Sequence, residues 1–457
     1  MRVSPCSANQ DLVQPLRPES VALGHGLGLS NPKPKLEEQL WDVLVVGAGP
    51  AGGDLAIQVA RAGKTVLLID QLPDLRQAAF SSAAVPLEAI QRFGLPAELV
   101  GHRWATWQLI GPGRSRRHWR GERPLGVVLD FGALRGWQAQ QAIAWGGQVG
   151  LGLRAQGCQS QGREMVTSVR QRDGSLLRLR SRWVVDATGQ ARSLIGDPMP
   201  NPQHGHRDHK LIRAVGVEWL LQVPIPTWQR WAGQLSFCLG SDWVPQGYGW
   251  VFPMQPGLLK LGACRITPEG SAPVPLAPLM QELYRRLFPE AAQDCCDPGQ
   301  AIRVLDRHGG LVRSSISRRE PHQRGRLIGL GDAVSTANLL GGEGIRHALT
   351  ASRELAPLLL ETLDLERQGQ LGRQLDGPLR RYPKLLRRAL GWRWVPSGRI
   401  ARRTWLSLSG SRGDRRLQSV LQGLERGASA EDLSALLFDY RFERFGIKLV
   451  PYLLGWH

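Results

Sequence analysis

Trp41-Asp42-Val43-Leu44-Val45-Val46-Gly47-Ala48-Gly49-Pro50-Ala51-Gly52 is the stretch that decides the fold. Val43 to Val46 is a short apolar run, suited to a strand buried on both faces of a parallel sheet. A G-x-G-x-x-G turn follows, and then a helical pattern through Leu55, Ile57, Val59 and Ala60 that stops at Gly63. Thr65-Val66-Leu67-Leu68-Ile69 is a second buried strand, ending on Asp70. Each glycine has a job in such a βαβ unit: Gly47 for the tight turn, Gly49 for close approach of a pyrophosphate, Gly52 for helix–strand packing. The helix opening at Pro50-Ala51 turns its positive end toward phosphates, and Asp70 stands where a carboxylate accepts from a ribose. Together these residues predict a dinucleotide-binding unit.

Reading outward, Arg135 to Trp145 predicts a helix closed by Gly146-Gly147. Met165 to Val185 predicts a hairpin turning at Asp173-Gly174, running into Asp186-Ala187-Thr188-Gly189. Strand-like runs separated by Pro and Gly fill Leu211 to Arg265 and predict a largely antiparallel region. Arg326 to Leu330 is another short buried strand. Gly331-Asp332-Ala333 follows it, then Gly341-Gly342-Glu343-Gly344-Ile345 and a helix to about Leu363. An acid just past a buried strand, with glycines at a helix start, is a second place to hold ribose, pyrophosphate or another anionic group. Residues 1–38 lack periodicity and read as a flexible arm.

Composition narrows the class. The 457 residues are 42% hydrophobic and 21% charged, ordinary for a globular chain, but 58 basic against 39 acidic side chains leave a net charge of +19. Such a field draws anionic partners and says nothing about fold. The six cysteines are scattered apart from Cys295-Cys296; they form no disulfide framework or Cys-x-x-Cys site and fit a reducing compartment. His204, His206 and His209 crowd one loop without acidic or thiol partners at ligand spacing, so no metal site is expected. No G-x-S-x-G elbow is present, which argues against that class of hydrolase. No stretch reaches the ~18–20 apolar residues needed to span a bilayer, and the first twenty residues lack the apolar core of a secretory signal. A cytoplasmic protein, peripheral to a membrane, is expected. From Arg380 to Arg416 basic residues interleave with Trp392, Trp394 and Trp405, a pattern that suits a lipid–water boundary. No nucleic-acid recognition module accompanies them, and no nucleic-acid partner is expected.

The three glycine- and aspartate-containing blocks, in this order, resemble the FAD-binding blocks of the p-hydroxybenzoate-hydroxylase-like flavoproteins. Tyr248-Gly249-Trp250-Val251-Phe252-Pro253 followed by Gly262, with the GDA…GEGI block, is similar to the geranylgeranyl reductase branch. The resemblance spans about residues 41–350. It implies a Rossmann-like α/β FAD-binding domain (39–200 with 300–365) and an inserted antiparallel-sheet substrate domain of α+β type (201–299); the residues beyond, 366–457, read as a helical, basic C-terminal region. It implies FAD held by Gly47, Gly49, Pro50, Ala51, Gly52 and Asp70, with Thr188, Gly189 and Asp332 along the cofactor and Gly342, Gly344 and Ile345 at the flavin. Tyr248, Trp250 and Phe252 would line the substrate cavity. The implied activity is FAD-dependent reduction of carbon–carbon double bonds in an isoprenoid, with NADPH, common in that family, as electron donor; the net charge of +19 would also suit a reduced, acidic ferredoxin. Some positions depart from the pattern: Phe131 where an arginine is common, Thr188 for the Asp of a DG pair, Ser335 for Gly and Leu339 for Pro. The DATG form is also similar to plant-type lycopene cyclases. A flavin-dependent carotenoid or isoprenoid cyclase or hydroxylase is thus one alternative, and a non-catalytic flavin-binding pigment carrier another.

Overall fold

The computed structural model describes residues 36–77, 81–196, 211–267, 275–292, 301–316, 320–370 and 377–449. His204, His206, His209 and Cys295-Cys296 lie outside the described residues, as does the arm up to residue 35.

The opening unit forms as read. Strand β1 (Leu40–Val46) leads through the glycine turn into helix α1 (Pro50–Arg61), and α1 returns to strand β2 (Val66–Asp70), parallel to β1. β1 also pairs in parallel with the strand Leu176–Asp186, and Leu327–Gly329 extends the sheet beyond that. β1 is apolar except for Asp42, whose buried carboxylate accepts from the Thr65 N–H and from Arg367. Val43 and Val45 face a core shared with α1 and the helix Ile345–Arg367, while Trp41, Leu44 and Val46 face a second core under the hairpin Glu164–Asp186. A strand covered on both sides has no solvent face to mark with polar residues.

The second sheet has seven strands, ordered 303–315, 211–222, 258–267, 247–253, 234–239, 106–110, 116–120. Its neighbours are antiparallel except 234–239 against 106–110, which run parallel. The sheet is therefore not confined to the expected 201–299 stretch: it takes two strands from before residue 200 and one from after 300. Backbone pairing, which leaves little mark on sequence, recruits Trp107 and Trp119 into its core.

The C-terminal chain is helical over Tyr382–Leu390, Trp394–Ser407, Ser411–Gly427 and Ala430–Leu437. It does not pack as a separate body. Tyr382, Leu386 and Leu390 join the core beneath the first sheet, while Trp405, Leu421 and Phe438 join the core of the second.

Candidate functional site

Where the two sheets meet lies a cavity of about 310 Å³, inside the range of roughly 300–1,000 Å³ typical of ligand sites. Gly49, Pro50 and Ala51 line it from the first motif, Gly189 from the second, and Asp332, Gly342, Gly344 and Ile345 from the third. Tyr248, Trp250 and Phe252 line it from the strand Gly247–Pro253. Four segments spread over three hundred residues thus share one space. Gly47, Gly52, Asp70 and Thr188 do not line it.

The glycines divide by what a side chain would meet. At Gly47, φ is +107° and a Cβ would fall 2.4 Å from the Ala187 carbonyl oxygen; at Gly52 it would fall 2.0 Å from the Gly47 oxygen. Both serve the packing of turn, strand and helix. A Cβ on Gly49 would meet nothing within 4 Å, and the same holds at Gly189. At Gly49 neither packing nor its φ of −79° demands glycine, and bare backbone is left open to a ligand; Gly189 is unobstructed too, but its φ of +68° itself favours glycine. Gly49 is also the N-cap of α1, and Gly344 the N-cap of the 23-residue helix Ile345–Arg367, so two helix N-termini face the cavity. Both present partial positive charge to it.

Asp70 sits behind the turn. One carboxylate oxygen accepts from the Ala48 N–H at 2.8 Å and from Arg135 at 3.4 Å, and the other accepts from the Leu72 N–H. Arg135 also donates to the Ala48 carbonyl at 3.0 Å. Both backbone groups of Ala48 are thereby held by buried side chains. The sequence reading missed Arg135; it lies one helical turn past Phe131, which lines the cavity where the resemblance expects arginine. Only its placement as the lone cation on the inner face of a helix hinted at this role.

Asp186 is fully buried and accepts from the N–H groups of Thr188, Leu194 and Ile195 and from the Thr188 hydroxyl, so Thr188 belongs to the loop's internal bracing. Ser335 has φ of +54°, a conformation that favours glycine. Its hydroxyl accepts from Arg192, whose ion pair with Glu320 is buried, and that contact offsets the strain. Glu343 is buried and spent on Arg346 through both oxygens, so its part is structural.

The aromatic wall is built with the same economy. A Cβ on Gly262 would lie 2.1 Å from the Trp250 ring, so the indole rests directly on that strand. Its N–H donates at 2.9 Å to Glu218, a fully buried carboxylate that also meets His308. Tyr248 as a residue is more than nine-tenths buried, and its hydroxyl lies over Gly342, where a Cβ would fall 2.5 Å from it. Burial raises its pKa well above the usual tyrosine value, and Cys264 across the strand pair is likewise pushed up to about 12. Phe438, from the end of the last C-terminal helix, closes the wall; the sequence reading missed it because nothing local marks it.

Comparison with known proteins agrees with this geometry. Residues 42–111 match the FAD binding domain family. A menaquinone reductase of Mycobacterium tuberculosis is 28% identical over 335 residues, covering 71% of this chain and 78% of that protein. A digeranylgeranylglycerophospholipid reductase of Haloferax volcanii is 25% identical, covering 69% and 75%. The crystal structure of a geranylgeranyl bacteriochlorophyll reductase-like protein from Thermoplasma acidophilum superposes with a TM-score of 0.68 at 18% identity, over 90% of this chain and 99% of that one. The chain resembles the geranylgeranyl reductases in sequence and in fold. The expectation of an FAD-dependent oxidoreductase holds with it. Among the described residues no helix is long and apolar enough to cross a membrane.

Proposed function

We propose that this chain reduces carbon–carbon double bonds of a polyprenyl substrate with bound FAD. The observation that carries this reading is the meeting, in one cavity, of two helix N-termini capped by Gly49 and Gly344, the first with open backbone, and an apolar aromatic wall. The reductase names of the relatives support it.

The residues present fit the cofactor. Gly49 and Gly189 leave room for a phosphate chain, and the α1 N-terminus balances its charge. Asp332, whose carboxylate already accepts from the Thr336 hydroxyl, is assigned to the sugar-alcohol end. Gly342, Gly344 and Ile345 are assigned to the polar edge of the ring, where the N-terminus of the helix Ile345–Arg367 offsets negative charge. The reduced cofactor supplies hydride to the substrate. Tyr248, Trp250 and Phe252 exclude water and orient a chain that has few polar handles. A substrate of this kind dissolves in membranes, and the enzyme meets it there as a peripheral protein. The electron donor is NADPH or a reduced ferredoxin.

The test is anaerobic. Purified yellow protein, given a reductant and a geranylgeranyl substrate, should yield a product heavier by one H₂ per reduced bond. An unchanged mass would indicate cyclisation, and one added oxygen, under air, hydroxylation. Bound FAD with no prenyl product would sink the reading.

A further inference from the structure

We propose that residues 377–413 build a docking face for anionic lipid headgroups. Over this stretch the chain carries ten bases and no Asp or Glu, more than half of its net charge of +19. The helix Tyr382–Leu390 is divided cleanly. Tyr382, Leu386 and Leu390, four residues apart, are buried against the long helix Ile345–Arg367. That geometry leaves Lys384, Arg387 and Arg388 on the outer face, all exposed. Among the described residues, none of these three has an acidic partner within ion-pair distance.

A face that merely keeps the protein soluble mixes signs, as the neighbouring helix Ser411–Gly427 does with Asp414 and Glu425 among its arginines. Here Glu361 pairs with Arg381 and Glu443 with Arg393, but Lys384, Arg387 and Arg388 have no such counterion among the described residues, and like charges so close repel one another unless an anionic surface neutralises them. Just beyond the helix, the Trp392 indole is 65% exposed, the most exposed large apolar side chain described. The Arg393 guanidinium lies 4.8 Å from its ring. An open indole beside a row of cations suits the boundary between headgroups and acyl chains better than the surface of an acidic protein or a nucleic acid. The face adjoins the cavity's own framework. Two residues on, Trp394 is buried, packs edge-on against His347 and donates to the Ser315 carbonyl.

The experiment is vesicle flotation with the full, FAD-loaded chain. It should float with phosphatidylcholine vesicles containing about one-third phosphatidylglycerol at about 0.1 M salt, and detach at about 0.5 M. Pure phosphatidylcholine should not hold it. Replacing Lys384, Arg387 and Arg388 together by Gln should weaken binding about a hundredfold, since each base near such a surface contributes ~1 kcal/mol. FAD content and melting temperature should not change. Trp392→Ala should weaken binding to the same vesicles. Indifference of the wild type to charged vesicles, a triple variant that floats like wild type, or tight binding to duplex DNA or polyglutamate in place of vesicles would each overturn the proposal. The vesicles hold no prenyl substrate, so the result does not depend on whether the chain reduces one.

Discussion

At the scale of single residues, the contrast between Gly47 and Gly49 separates folding from binding. Alanine at Gly47 would have to adopt φ near +107° and enter the Ala187 carbonyl, at a cost of about 2–4 kcal/mol. Alanine at Gly49 meets open space at φ of −79°. Thermal melts should therefore show Gly47→Ala strongly destabilised and Gly49→Ala unchanged. Fluorescence titration should show Gly49→Ala losing FAD affinity by about tenfold or more, the effect of ~1.4 kcal/mol. Equal FAD binding by wild type and Gly49→Ala would mean that the cofactor does not approach this backbone. Arg135 is a positioning residue by the same logic. Arg135→Met removes the donor to the Ala48 carbonyl and leaves Asp70 buried without its cation, so FAD affinity and stability should fall together, the latter by about 3 kcal/mol. Lysine has a single point charge where the guanidinium reaches two acceptors, and should restore only part of the loss. Full restoration by lysine would show that charge alone matters there.

At the scale of elements, legibility followed locality. The βαβ unit was readable because strand, turn, helix and acid occur within thirty residues and each carries its own chemical mark. The hairpin at Asp173-Gly174 and the helix after Gly344 were readable for the same reason. The contacts of Arg135 with Asp70 and Ala48 and the part played by Phe438 were not, because contacts across 65 residues or more leave no periodicity behind. The C-terminal helices show this best: they read as a basic appendage, yet they fasten the loop that lines the cavity. Trp405 donates to the Leu339 carbonyl at 2.8 Å, and Asn338 donates to Ser397 at 2.8 Å. Trp405→Phe keeps the ring against Tyr248 and leaves the Leu339 carbonyl unsatisfied, which should cost about 1–3 kcal/mol. Off-rates of FAD should rise as the loop loosens; an unchanged off-rate would confine the bond to stability. The strand Arg303–Ser315 carries a pH-dependent contribution. Burial opposes the charged form of His308, but Glu218 and Asp306 on either side outweigh it and hold its pKa above the ordinary value. A raised folded value means that the contribution is whole below about pH 6.5 and is lost as pH rises through the folded pKa. The stability gap between wild type and His308→Gln, read from urea midpoints, should therefore shrink from acidic to alkaline pH. A gap constant with pH would show that His308 stays neutral.

At the scale of the whole molecule, the net charge of +19 bears on the electron donor. A small nucleotide needs a local pocket, and its capture depends only modestly on the distant field. An acidic ferredoxin would be steered by the summed potential, and its association rate would depend strongly on ionic strength. The Debye length shrinks from roughly 10 Å at 0.1 M salt to about 3 Å at 1 M, which removes long-range steering and leaves short contacts in place. Flavin reduction by a ferredoxin should therefore slow about tenfold between ~0.05 and ~0.5 M salt, whereas reduction by NADPH should change far less. Stopped-flow absorbance of the flavin under both donors reads this directly. A ferredoxin-driven rate indifferent to salt would show that the excess charge is not used to capture a protein donor, and would leave anionic lipid as the partner for which so basic a surface is kept.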